Sequence, residues 1–60
     1  MDRQIKETKQ YIYGVSLVKE GFKLYKADKQ LFEVEYLGTY GTLNRVNRRI
    51  EMEEEFEEGK

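Results

Sequence analysis

Apolar and polar residues alternate through much of the stretch from Tyr11 to Tyr36, and from Leu43 onward the apolar spacing lengthens to three and four. Alternation is the period of a strand, whose side chains point to opposite faces in turn; the longer spacing is one stripe of a helix. Tyr11–Val18, β-branched and aromatic, is the first predicted strand. Its bulkier set, Tyr11, Tyr13, Val15 and Leu17, should look at the core. Gly14 on the other face marks a bulge or leaves room for something pressed against the sheet. Two further runs, Phe22–Lys26 and Leu31–Tyr36, flank Ala27-Asp28-Lys29-Gln30, which suits a tight reversal. In the third run Phe32 and Val34 are expected inside, with Glu33 and Glu35 in water.

Gly38 and Gly41 bracket Thr39-Tyr40, and Thr42 stands where a helix N-cap belongs. Leu43, Val46 and Ile50 make the inward stripe, while Met52 and Phe56 sit nearly opposite it. Either the helix ends near Glu53 or those two form a second apolar patch for another chain, a homodimer through Met52 and Phe56 being one case. Short connections favour an antiparallel order. The expected fold is α+β: a three-stranded antiparallel β-meander packed by one C-terminal α-helix. One domain spans residues 1–50, with a frayed N-terminus at 1–9 and an acidic tail at 51–60 continuing the helix. The expected core is Tyr11, Val15, Leu17, Phe22, Leu24, Phe32, Val34, Leu37, Leu43, Val46 and Ile50.

Charge divides the chain in two. Residues 1–50 hold ten Lys or Arg against six Asp or Glu, whereas residues 51–60 hold six Glu against Lys60. The net charge of −1 therefore hides a basic body and an acidic tail. There is no histidine or cysteine, which removes imidazole and thiolate chemistry, zinc sites of that kind and disulfides. Asp28, Glu33 or Glu35 could in principle serve as acid or base, but nothing convergent accompanies them, and the calcium-loop pattern is missing from the tail. The chain reads as not an enzyme, without metal or cofactor. No apolar run approaches the ~20 residues of a membrane span, and Met1–Lys6 has no secretory apolar core. A soluble, cytoplasmic chain is the expectation.

The order Gly14-Val15-Ser16, a turn ending at Gly21, Phe22, then Leu37-Gly38-Thr39-Tyr40-Gly41-Thr42-Leu43 leading into a helix resembles a known domain. It is similar to the sheet-plus-helix DNA-binding domain of plant ethylene-response factors, with relatives in phage-type integrases and some homing endonucleases. The likeness spans Tyr13–Ile50. It implies three strands, one helix and DNA reading by arginines and aromatics on the exposed sheet face. This chain carries Ser16, Leu17 and Val18 after Gly14-Val15, with no arginine there. On this resemblance and on residue type, the nucleic-acid candidates are Lys19, Lys23, Lys26, Arg45, Arg48 and Arg49.

Five tyrosines and three phenylalanines in 60 residues are more than so small a core can hide. Tyrosine makes low-entropy amphipathic contacts and is enriched at interfaces. The preferred expectation is a protein-binding module, a small regulator or inhibitor docking through Tyr25 and Tyr40 with Glu33, Glu35 and Glu54. DNA binding by the basic residues is the alternative.

Overall fold

The computed structural model describes residues 3–59. Four strands, β1 (Arg3–Glu7), β2 (Tyr11–Val18), β3 (Gly21–Asp28) and β4 (Val34–Tyr40), are followed by one helix, α1 (Leu43–Glu58). The sheet is antiparallel throughout in the order β1-β2-β3-β4. The expected three-stranded meander is thus overturned: within the segment expected to fray, Arg3–Glu7 forms an edge strand on β2, and residues 1 and 2 lie outside the described residues. An edge strand needs few apolar residues, because its backbone ladder is made on one side and its outer side meets water. Arg3-Gln4-Ile5-Lys6-Glu7 offers a single one, Ile5, which packs against the core. The register shifts between Gln4 and Lys6, where Ile5 is the extra residue.

The other edge strand carries a matching irregularity. Leu24 pairs with Gly38 but the next residue, Tyr25, pairs with Tyr36, so Leu37 is the extra residue of a bulge in β4. Gly38 supports it with φ +126, a conformation that residues with a side chain rarely adopt. The bulge lets Leu37 and Tyr40 both face the helix while Val34 and Tyr36 face away. It also corrects the expected core: Val34 is 59 % exposed, and Phe32 is 87 % exposed in the turn before the strand. In that turn the Asp28 carboxylate accepts from the N–H groups of Gln30 and Leu31, at 2.8 and 3.0 Å. The Phe32 N–H donates to the Asp28 carbonyl at 2.9 Å, with Phe32 itself at φ 56. Bulges on both edges hinder strand addition to the sheet.

The buried core is Tyr13, Val15, Leu24, Leu37, Val46 and Ile50, with Ile5, Tyr11, Phe22 and Tyr40 packed around it. Leu17 and Leu43, also expected inside, are 71 % and 42 % exposed. They border a groove of about 330 Å³ at the sheet corner that α1 leaves uncovered, together with Ile5, Val15 and Phe22. Thr42 caps the helix in extended conformation, its hydroxyl accepting from the Arg45 N–H at 3.3 Å. Thr42→Ala is expected to lower stability by about 1 kcal/mol, read by urea denaturation; an unchanged midpoint would mean the cap contributes nothing.

Beyond Ile50 the inward stripe continues at Glu53, Glu54 and Glu57, all half-buried. These carboxylates meet the basic residues of the sheet and of the helix itself. Lys6 Nζ lies 2.7 Å from Glu54 Oε1 and Lys26 Nζ lies 2.6 Å from Glu57 Oε1. Arg49 Nη2 lies 3.3 Å from Glu53 Oε1. The second half of α1 is therefore held to the sheet mainly by charge and the first half mainly by apolar burial.

Candidate interaction surfaces

The register sorts every strand residue to one face. On the helix side stand Lys6, Tyr13, Lys26 and Glu35 in one row and Leu17, Phe22 and Tyr40 in another. The opposite face, which α1 does not cover, has three rows across β2, β3 and β4. They read Ile12-Ala27-Val34, Gly14-Tyr25-Tyr36 and Ser16-Lys23-Thr39. Lys23 is the one charged residue in that block.

At its centre the rings of Tyr25 and Tyr36 lie 5.7 Å apart, tilted by 48°. This is within the range of favourable aromatic pairs, which hold each other in place. The Tyr36 hydroxyl shares a hydrogen bond with Thr39 Oγ1 at 2.6 Å. Gly14, in register with Tyr25, adds no side chain and is itself buried. On the β1 margin Glu7 forms an ion pair with Lys29, which holds the Glu7 carboxyl below its usual range. The result is a rigid, nearly neutral, tyrosine-centred platform.

The residues expected to bind a partner do not share this surface. Tyr25 does, but Tyr40 faces the helix, where its hydroxyl donates to the Leu37 carbonyl at 3.1 Å and accepts from Arg49 Nη1 at 3.4 Å. Glu35 stands in register with Lys26 on the helix side. Glu33 lies in the turn before β4, and its carbonyl accepts from the Asp28 N–H. Glu54 is engaged by Lys6. Val34 and Ile12 belong to the platform and are not among the expected site residues; Tyr36 also belongs to it, a tyrosine whose residue type suits an interface but whose alternation with Phe32 and Val34 points to the core. The signal for Tyr36 was Gly38, since a glycine within a strand marks a bulge that reverses the alternation before it.

The basic candidates are also dispersed. Lys23 is on the open face and Lys19 in the turn between β2 and β3. Lys26 is on the helix side, its ammonium 4.1 Å from the centre of the Tyr11 ring as well as paired with Glu57. Burial pulls the Lys26 ammonium down, but hydrogen bonding and charge from Glu57 outweigh it, so its pKa is raised. Arg49 likewise pays for burial and is raised overall by Glu53 and Tyr40. Arg45 and Arg48 are exposed on α1. No single surface gathers these six cations.

Among the described residues no group of three or more Asp or Glu is placed to hold a metal ion. Among the same residues no helix is long and apolar enough to cross a membrane. The chain matches no protein-family model, and no curated protein or solved structure is similar to it at a significant level.

Proposed function

We propose that the chain is a non-enzymatic interaction module, a small regulator or inhibitor, that docks on a protein through the open face of its sheet. The observation that carries this reading is the Tyr25–Tyr36 pair at the centre of a block with one charge, Lys23. A protein surface offers apolar and hydrogen-bonding groups that suit such a platform. A phosphate backbone instead requires several cations per site, because counterion release supplies most of the affinity. The open face provides too few of them.

Tyr25→Ala and Tyr36→Ala should each weaken capture of the partner by about 30-fold, the ~2 kcal/mol of an anchor residue. The check is affinity capture from the source organism's lysate with wild-type and variant chains, with and without nuclease, with circular dichroism confirming that each variant folds. A protein held by the wild type, lost from both variants and indifferent to nuclease supports the reading. Partners that vanish with nuclease, or binding that falls steeply with salt, would transfer the platform to nucleic acid. Binding untouched by both substitutions would remove the open face from the function.

A further inference from the structure

We propose that two copies of this chain pair through the outer flank of α1, with the two helices antiparallel. This surface lies across the molecule from the open sheet face and does not depend on the reading above. Arg45, Arg49, Met52 and Phe56 are spaced by four, three and four, the repeat that places side chains on one helical seam. That seam is turned away from the stripe of Val46, Ile50 and Glu57. Met52 and Phe56 are 64 % and 67 % exposed on it. Met52 borders a groove of about 340 Å³ with Tyr40, Arg45, Arg48 and Arg49.

Charge decides both the partner and its direction. Every basic residue of α1 precedes Glu51 and every acidic one follows Arg49. The first turn has no acid and the last no base, so the charges run against the helix dipole. An antiparallel second copy offsets that arrangement at both ends. With the twofold axis between residues 51 and 52, Arg48 and Glu55, seven residues apart and so on one flank of the helix beside the seam, lie equally far from it, about 5 Å along the helix. Each copy then sets Arg48 against the other's Glu55, a self-complementary contact repeated twice by symmetry. A parallel pair would set arginine on arginine. Neither Arg48 nor Glu55 has an ion pair within its own chain among the described residues. The contact is as long as α1, about 24 Å, so the dimer belongs with small, reversible interfaces.

Sedimentation equilibrium of the full chain from about 10 μM to 1 mM tests this, a range suited to weak association. The wild type should show monomer and dimer, and moving from low to high salt should raise the dissociation constant. The variant Arg48→Glu sets acid against acid across the pair, and Glu55→Arg sets base against base. Each alone should weaken the dimer about tenfold, since both symmetry-related pairs become repulsive. Mixed one to one, the two variants should associate again. All substituted positions are exposed, and circular dichroism verifies that the helix persists. A wild type that stays monomeric, a dimer indifferent to the charge reversals, or a mixture that fails to associate would overturn the proposal.

Discussion

Leu24→Ala should remove a large part of the protein's stability, about 3 kcal/mol. Leu24 is fully buried at the middle of β3, in register with Val15 on one side and Gly38 on the other. Gly38 contributes no side chain, so nothing on the β4 side of that row can swing in to fill the space left by the truncation. A 60-residue domain at about 0.05–0.15 kcal/mol per residue has only about 3–9 kcal/mol in total. Leu17→Ala is the internal control. Leu17 shares the helix-facing side but is 71 % exposed, so its truncation should cost less than about 0.5 kcal/mol. Urea denaturation of the two variants measures the difference. Equal losses would mean that α1 covers the corner near Leu17 rather than the centre of the sheet.

The contrast between Leu24 and Leu17 shows what the hydrophobic pattern could reveal. Alternation correctly grouped Tyr13, Val15 and Leu17 on one side of β2, but it says nothing of how far a covering helix reaches. β2, β3 and the helix start were legible because Tyr, Ile, Val and Phe at period two, and Thr42 before a period of three to four, are strong local signals. β1 was not, because an edge strand with one inward apolar residue looks like a polar terminus. β4 differs from the alternation before Leu37, which put Val34 inside although it is 59 % exposed, while Glu35 is exposed as expected.

The helix held a third lesson. Glu53, Glu54 and Glu57 continue the stripe of Val46 and Ile50 at steps of seven, eight and eleven from Val46. The spacing was in the sequence, but a search for apolar periodicity does not count glutamates. Their counter-ions, Lys6 and Lys26, come from strands remote in sequence and were recognisable only once the sheet was assembled. For the candidate platform, Tyr25 was legible as exposed, while Tyr36 depended on the bulge.

Tyr13→Phe should stabilise the protein by about 1 kcal/mol and extend its stability to higher pH. The Tyr13 hydroxyl is buried without a hydrogen-bond partner, so replacing it with hydrogen removes a desolvated polar group and leaves the ring packing unchanged. Burial raises the Tyr13 pKa first, and the charges of Glu57, Glu53 and Glu54 raise it further, while Lys6 and Lys26 flank it in the sheet. The sign follows from linkage. Tyrosine in the unfolded chain loses its proton near pH 10, whereas the folded chain keeps it. Stability is therefore intact below about pH 10 and falls above it as the unfolded form gains the ionised state. Lys26, also raised, acts in the same direction, since its charge is worth more in the fold than out of it. Thermal melts at about pH 8, 10 and 11.5, spanning the ordinary tyrosine value, should show Tm dropping steeply for the wild type and less for Tyr13→Phe. The residual drop in the variant reports Lys26. If the two proteins lose Tm in parallel, Tyr13 ionises as freely folded as unfolded, and the glutamates of α1 do not seal it.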